Sequence, residues 1–370
     1  MGLFDKLKGA DVFGKRGNSA LGVDIGSSSI KVVQLKREGG IAVLETYGEL
    51  SLGPYGNTDI GTAVQLPPET LAEALKDLLR EANTTTKNAG FSIPFASSLL
   101  AFIQLPSIGN AQLNKMIPIE ARKYIPVPIS EVMLDWFIVP EGDDKKPEDK
   151  KSMKKAKQTD VLLVAIHNEV LNNYNTIVEK SGLMNDFFEI EIFSTIRSTL
   201  DQTSGPAMII DIGSSTSKVY IVEYGVVRVS HMVNRGSQDV TYGISKSFGI
   251  SLAKAEEMKR SEGLLTESHD VKRIALLTLD YIFSEAGRVL LNYQKKNGKN
   301  IGTVVLTGGG AIMKGVAHLA SQHLGTNVRL GDPFSKVSAP AFLEHVLRES
   351  GAEFAVAVGL ALRKLQDADI

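Results

Sequence analysis

One hairpin-like motif occurs twice in this chain of 370 residues. GVDIGSSSIKVVQL at 22–35 is matched by IIDIGSSTSKVYIV at 209–222, and from Asp24 and Asp211 onward seven of ten positions are identical. Each copy runs from an apolar stretch through a Gly/Ser turn into a second apolar stretch, which predicts a β-hairpin. Because the copies lie 187 residues apart, we expect two related halves that face each other across a cleft.

The hairpin tips carry groups that suit phosphate. Glycine lets the backbone approach closely, neighbouring amides and hydroxyls donate hydrogen bonds, and the aspartate of each tip offers a carboxylate to a metal ion. The predicted phosphate-binding residues are Gly26, Ser27, Ser28, Ser29, Gly213, Ser214, Ser215 and Thr216, and the predicted metal ligands are Asp24 and Asp211. The alternative is two ordinary turns whose Asp and Ser side chains cap nearby backbone groups.

A third glycine-rich element follows at 301–325, IGTVVLTGGGAIMKGVAHLASQHLG. An apolar β-type run leads into three consecutive glycines and then into a helix with one apolar face. The turn residues Gly308, Gly309, Gly310 and Ala311 are predicted to approach a nucleoside, because glycines leave room for close backbone contact.

Composition excludes several other classes of function. The chain has no cysteine, which rules out a disulfide scaffold, a thiolate nucleophile and an iron–sulfur cluster. Its formal net charge of -1 gives no overall field for nucleic acid, and we expect no nucleic-acid partner. The continuous apolar runs are shorter than the roughly 20 residues that cross a bilayer, so no membrane span is expected.

The order and spacing of these three elements resemble the ATP-binding set of the actin-like ATPase superfamily. The resemblance implies an α/β, actin-like two-lobed ATPase fold of duplicated ribonuclease-H-like domains, with ATP and Mg²⁺ between the lobes. SLAKAEEMKR at 251–260 is similar to the helix that contacts the nucleoside, which implies that role for Glu256 and Lys259.

The same resemblance bears on catalysis. It implies catalytic roles for Glu191 and Asp211, with Glu191 positioning the attacking water. Glu189 is interpreted as a neighbour on the same strand, and the choice between the two glutamates rests on the resemblance alone. Lys31 is predicted to reach phosphate, whereas Lys218 is interpreted as a solvent-facing strand residue.

The segment between the two hairpins indicates which family within this superfamily the chain resembles. Residues 102–139 resemble the PilM family of type IV pilus assembly proteins, an FtsA-like branch of the superfamily, in the pattern E-A-x-x-Y-I-P-x-P-x-x-E-V-x-L-D. The matching positions are Glu120, Tyr124, Ile125, Pro126, Pro128, Glu131, Val132, Leu134 and Asp135.

This resemblance sets the expected domain boundaries. Lobe I is expected from 18–97, 184–205 and 336–370, and lobe II from 206–335. A small α+β insert, 98–183, would interrupt lobe I and would carry a charged loop at 140–160. Residues 1–17 are expected to form a flexible N-terminal arm.

The resemblance also implies a function. The chain is expected to be an ATP-binding cytoplasmic scaffold of the type IV pilus inner-membrane platform, or of a related secretion or competence system. Its partner would be the N-terminal cytoplasmic tail of a PilN-like membrane protein, with pilus motor ATPases and PilO- or PilC-like proteins as further partners. The alternatives are an FtsA- or MreB-like filament former and a sugar or acetate kinase. ATP turnover and self-association are left open.

Overall fold

The computed structural model describes residues 18–107, 109–139, 158–201 and 205–367. The predicted arm at 1–17 and residues 140–157 of the charged loop lie outside these ranges. The strands are β1 (Ser19–Ile25), β2 (Ser29–Glu38), β3 (Ile41–Ser51), β4 (Asn88–Ile93), β5 (Ser98–Pro106), β6 (Val132–Ile138), β7 (Gln158–His167), β8 (Met184–Ile190), β9 (Ala207–Ile212), β10 (Ser217–Glu223), β11 (Val226–Val233), β12 (Thr303–Thr307) and β13 (Val328–Leu330). The helices are α1 (Pro68–Glu81), α2 (Asn110–Ala121), α3 (Asn168–Ser181), α4 (Glu191–Thr199), α5 (Ser237–Phe248), α6 (Leu252–Glu262), α7 (His269–Asn297), α8 (Val316–Leu324), α9 (Glu344–Ser350) and α10 (Ala355–Asp367).

The described residues divide into two units, a smaller one at 95–175 and a larger one that combines 18–94 with 176–367. The larger unit contains two five-stranded sheets, ordered β3-β2-β1-β4-β8 and β11-β10-β9-β12-β13. In both sheets the first three strands pair antiparallel, and the last two strands add in parallel. The sequence repeat therefore corresponds to a repeat of the whole sheet.

The repeat extends to an irregularity in strand pairing. The register between β2 and β3 shifts at Gln34/Leu35, and the register between β10 and β11 shifts at Ile221/Val222. These positions are again 187 residues apart. One extra residue lies in the outer strand at each shift, Glu45 in β3 and Arg228 in β11, so the two sheets carry a bulge at the same place.

Each sheet of the larger unit is buried beneath helices. The central strands β1 and β9 are nearly continuous apolar runs and are buried over most of their length, which is typical of strands covered on both faces. The first sheet contributes Ala20, Val33 and Leu35 to a core shared with α10, and the second packs its apolar side chains against α5 and α7. The carboxyl ends of β1 and β9, which lead into the hairpin tips, are thereby held on rigid layers.

The smaller unit has its own sheet, with the antiparallel order β5-β7-β6. Leu113, Ile117 and Ala121 of α2 pack onto Val161 and Leu163 of its central strand. It is an α+β arrangement like the predicted insert. No helix in the described residues has both the length and the apolar character needed to cross a bilayer.

A buried ionic cluster joins β8, α4 and α10 within the larger unit. The Glu189 carboxylate accepts two bonds from Arg197, at 2.7 and 2.8 Å, and one from Arg363 at 2.8 Å. Ser194 also donates to it. The Arg363 guanidinium lies 4.1 Å from the ring centroid of Phe187. This cluster fixes where β8 ends and α4 begins.

The cluster links stability to pH. Burial alone would raise the pKa of Glu189, but Arg197 and Arg363 lower it below its ordinary value. A carboxyl with a lowered folded-state pKa stabilises the protein above its unfolded pKa of about 4.3, and this contribution is lost as the pH falls through the folded value.

We predict that Glu189→Gln destabilises the protein by roughly 3 kcal/mol at pH 7, because two largely buried arginines lose their carboxylate. The variant should also lose less stability than the wild type between neutral and acidic pH. Urea denaturation at pH 7 and at a series of pH values from about 4 down to about 2 measures both effects, because the loss occurs below the unfolded pKa. Glu69→Gln is the control, since Glu69 pairs with Lys180 at the surface and its loss should leave the stability nearly unchanged. Equal acid sensitivity in wild type and Glu189→Gln would contradict the assignment.

Candidate functional site

The two hairpin tips meet at a cleft in the larger unit. The Ser215 hydroxyl donates to the Ser27 hydroxyl across 3.2 Å. The same hydrogen bond closes both turns, from Gly26 N to Ser29 O at 2.9 Å and from Gly213 N to Thr216 O at 3.0 Å. The expectation that the tips oppose each other therefore agrees with the geometry.

The cleft gathers the predicted site residues from five separate parts of the chain. Those that line it are Asp24, Gly26, Ser27, Ser28, Ser29, Lys31, Glu191, Asp211, Gly213, Ser214, Ser215, Thr216, Glu256, Lys259, Gly308, Gly309 and Gly310. Ala311 does not line it, because its side chain is buried in the core of the second sheet.

The first hairpin places an acid and a lysine opposite each other at the floor of the cleft. Asp24 and Lys31 are cross-strand neighbours on β1 and β2. The Asp24 carboxylate accepts a 2.7 Å hydrogen bond from the Ser92 hydroxyl, and burial raises its pKa although Ser92 and Lys31 oppose the shift. Lys31 bonds to Ser29 at 2.7 Å and to Glu49 at 2.9 Å. Both groups are positioned by the hairpin register.

The second hairpin repeats the pair but gives its lysine different partners. Lys218 lies opposite Asp211 and contacts its Oδ2 at 3.1 Å, and it contacts Oε2 of Glu191 at 2.8 Å. Its side chain is only 12% exposed. Burial alone would lower the pKa of Lys218, but the two carboxylates raise it well above its ordinary value. The interpretation of Lys218 as a solvent-facing residue is wrong, since its side chain turns toward the cleft.

The two candidate glutamates have different environments. The Glu189 carboxylate pairs with Arg197 and Arg363 and does not line the cleft, whereas Glu191 lines it. Glu191 is not a strand residue as interpreted from the sequence, because β8 ends at Ile190 and Glu191 begins α4. Burial raises the pKa of Glu191, with Asp211 and Asp24 adding to the shift and Lys218 opposing it. Geometry therefore favours Glu191 over Glu189 as a group facing a ligand.

The far side of the cleft is formed by α6. Glu256 bonds to Lys259 at 2.6 Å, to Arg260 at 2.8 Å and to the Thr241 hydroxyl at 2.7 Å. Burial would raise the pKa of Glu256, but Lys259 lowers it. Their spacing of three residues places Glu256 and Lys259 on one face of the helix. This face presents a preorganised charged group to the cleft.

The triple-glycine turn passes very close to the second hairpin. Gly308 has φ +84°, and a Cβ there would lie 2.3 Å from Oδ1 of Asp211. The Gly310 amide donates to the Ile212 carbonyl at 2.9 Å. Thr307, which precedes the turn, lines the cleft with a buried hydroxyl that has no hydrogen-bond partner among the described residues.

A connecting segment, residues 52–63, bridges the mouth of the cleft. The Asp59 carboxylate accepts a 3.2 Å hydrogen bond from the Ala253 amide at the start of α6. The Ala63 amide donates to the Gln238 side chain on α5 at 2.5 Å. These bonds connect the segment that follows β3 to α5 and α6 of the second half.

Several lining residues escaped the sequence analysis. Glu49 and Glu353 lie in no motif, and Thr195 lies in a helix that the sequence interpretation treated as strand. Arg260 directly follows the predicted Lys259 and could have been found from its place in the same helix. The glutamates are brought in by tertiary contacts that a single sequence does not reveal.

The groups in the cleft fit a nucleoside triphosphate. Two hydroxyl-rich turns, a lysine, a buried unpartnered hydroxyl and a close-packed glycine turn are suited to phosphate oxygens and a nucleoside. The described residues hold no group of three or more His, Asp or Glu side chains arranged for a metal ion. Mg²⁺ is usually bound by one or two carboxylates together with substrate phosphates, so Asp24 and Asp211 fit it only as part of a nucleotide complex.

The family is decided by comparison with known proteins. A family model described as type IV pilus assembly protein PilM matches residues 22–365. The chain belongs to the PilM family. The predicted relationship to PilM is thereby confirmed.

Structural comparison agrees with the PilM assignment. A solved structure described as a PilM-PilN type IV pilus biogenesis complex matches with a TM-score of 0.78 and 26% identity, covering 95% of this chain and 99% of that chain. MreB 5 of Spiroplasma citri bound to AMPPNP matches with a TM-score of 0.53 and 12% identity, covering 96% and 100% of the two chains. The predicted actin-like fold is confirmed.

Curated relatives of this PilM-family chain include cell division proteins. FtsA of Bacillus subtilis (strain 168) is 22% identical over 241 residues, which are 58% of this chain and 54% of FtsA. FtsA of Neisseria meningitidis serogroup B is 24% identical over 311 residues, 75% of this chain and 73% of that protein. The chain thus spans about half the length of the first relative.

We predict that Gly308→Ala destabilises this PilM-family protein by about 2–4 kcal/mol, because φ is positive and the new methyl group would meet Asp211. Gly309→Ala is the matched control. A Cβ there would meet nothing closer than Glu353 Oε2 at 3.6 Å, and its cost should stay below about 1 kcal/mol. Urea denaturation of both variants measures the difference. Similar losses of stability would contradict the close approach of this turn to the second hairpin.

Proposed function

We propose that this protein is an ATP-binding cytoplasmic scaffold of the type IV pilus assembly platform, or of a related secretion or competence system, at the inner membrane. It would bind the N-terminal cytoplasmic peptide of a PilN-like membrane protein. The observation that carries the proposal is the match to the PilM-PilN complex, which extends over 99% of the solved chain. Membrane association would then come through protein partners, with motor ATPases and PilO- or PilC-like proteins as further contacts.

The nucleotide part of the proposal is supported by the cleft. Ser27, Ser28 and Ser29 of the first tip and Ser214, Ser215 and Thr216 of the second would hold the phosphates. Glu256 and Lys259 would face the nucleoside, next to the glycine turn at 308–310. Asp24 and Asp211 would share Mg²⁺ with the phosphates. Bound Mg²⁺ would neutralise phosphate charge, while the chain's own hydroxyls and lysines orient the phosphates.

Nucleotide dependence follows from the position of the site between two sheets. The tips, the bridging segment 52–63 and α6 all contact the cleft, so a ligand there has a different affinity for open and closed arrangements of the two halves. A ligand shifts such an equilibrium only by this difference in affinity. ATP would favour the arrangement in which the partner peptide binds.

A filament-forming role like that of FtsA or MreB is the second candidate. The FtsA relatives support it, although at 22–24% identity. Sedimentation of the purified protein with ATP distinguishes the two roles, because a filament former pellets above a critical concentration without any partner peptide. A kinase function has no comparable support among the relatives reported above.

We predict that Lys31→Ala weakens ATP binding at least tenfold, because a charge-assisted hydrogen bond contributes about 1.5–3 kcal/mol. Lys36→Ala is the matched control on the same strand. Lys36 pairs with Glu38 at the surface, outside the cleft, and its removal should change affinity less than twofold. Titration with a fluorescent ATP analogue measures both variants. Equal ATP affinities of wild type and Lys31→Ala would contradict a contact between Lys31 and the nucleotide.

We also predict that a synthetic N-terminal peptide of the PilN-like protein binds the full-length protein, and that Mg-ATP changes its affinity by about fivefold or more. Isothermal titration with and without nucleotide measures this coupling, with Lys31→Ala as the nucleotide-binding control. Peptide binding with the same affinity in the presence and absence of nucleotide would support the scaffold role and contradict its coupling to nucleotide. Absence of peptide binding under all conditions, with ATP still bound, would contradict the pilus-platform role.

A further inference from the structure

The repeat allows its two lysines to be compared directly. Both lie opposite an aspartate on the neighbouring strand. Lys31 turns away from Asp24 to bond with Ser29 and Glu49. Lys218 instead joins Asp211, at 3.1 Å, to Glu191, at 2.8 Å. The side chains of these three residues are each 12% exposed or less.

We propose that Lys218 is a positioning residue that restrains Glu191, so that the cleft holds a nucleoside triphosphate without efficiently activating water against it. The ammonium of Lys218 acts as an internal cation for Glu191 and Asp211. This proposal rests on the proposed nucleotide binding and goes beyond it, because it assigns the cleft to retention rather than turnover.

Charge balance supports this role. Asp24, Asp211 and Glu191 bring three carboxylates to the floor of one cleft. Like charges in a partly desolvated site repel strongly, and a cation among them stabilises their ionised forms. Lys218 supplies that cation from the chain itself, at 2.8 Å from Glu191 and 3.1 Å from Asp211.

Geometry explains why restraint would slow hydrolysis. In hydrolysis a water oxygen bonds to the terminal phosphorus, the bond from that phosphorus to the bridging oxygen breaks, the diphosphate leaves with the electron pair of that bond, and the proton of the water passes to solvent. A carboxylate must orient this water. Oε2 of Glu191 is engaged by Lys218 at 2.8 Å, and Glu191 sits in the first turn of α4, just beyond the Glu189 cluster. Movement of this oxygen toward a water would break its ion pair with Lys218.

The test compares full-length wild type with Lys218→Met, and uses Lys36→Met as the control, since Lys36 pairs with Glu38 at the surface outside the cleft. Thermal unfolding is first measured without nucleotide, with and without millimolar Mg²⁺. Lys218→Met leaves two adjacent carboxylates without their cation, so Mg²⁺ should raise its Tm by about 3 °C or more. Wild type and Lys36→Met should shift by less than about 1 °C. A large Mg²⁺ shift in the wild type would overturn the proposal, even if the Lys218 variant fails to fold.

Nucleotide binding and single-turnover hydrolysis are then measured on the same proteins. Lys218→Met should hydrolyse bound ATP about tenfold faster than wild type or more, and the double variant Lys218→Met/Glu191→Gln should lose this gain. A rate equal to or below that of the wild type, with ATP bound, would overturn the proposal. Failure of the wild type to bind ATP would overturn the proposed nucleotide function itself, so the two failures are distinguishable.

A structure of the wild type with Mg²⁺ and a non-hydrolysable ATP analogue gives an independent readout. The proposal expects Lys218 Nζ to remain within hydrogen-bond distance of Glu191. A Glu191 carboxylate turned away from Lys218 and bonded to a water at the terminal phosphate would overturn it.

Discussion

The geometry of an antiparallel hairpin governs this structure. A hairpin with this tip places the next-to-last residue of its first strand opposite the residue seven positions later. Asp24 therefore faces Lys31, and Asp211 faces Lys218. Because the whole five-stranded sheet is repeated, both pairs arrive at the same cleft with their tips in contact. The positions of the acids, lysines and hydroxyls in the site follow from this one register.

The two hairpins are similar in sequence, but their lysines pair with glutamates from different parts of the chain. Glu49 of β3 pairs with Lys31, whereas Glu191, at the junction of β8 and α4, pairs with Lys218. The Glu189 cluster fixes the position of this junction, because two arginines hold the carboxylate two residues before Glu191. A structural ion pair and a site residue are thus adjacent in sequence and separate in role.

Sequence reasoning succeeded where the relevant interactions are local. The apolar runs on either side of the Gly/Ser tips predicted both hairpins, and their duplication predicted the related halves. The prediction for Lys218 was wrong because strand alternation says which face a side chain leaves from, not which buried acid it meets. Glu49 and Glu353 were missed for the same reason, and the place of Ala311 beside three glycines does not reveal that its methyl group packs into the core.

The bridging segment 52–63 has a consequence for the timing of ligand exchange. Its bonds to Ala253 and Gln238, together with the contact between Ser27 and Ser215, join the two halves around the cleft. A molecule bound there would contact both halves, so its residence time would depend on these contacts between the halves as well as on its own. Occupancy of the cleft would then persist after the concentration of free ligand has fallen.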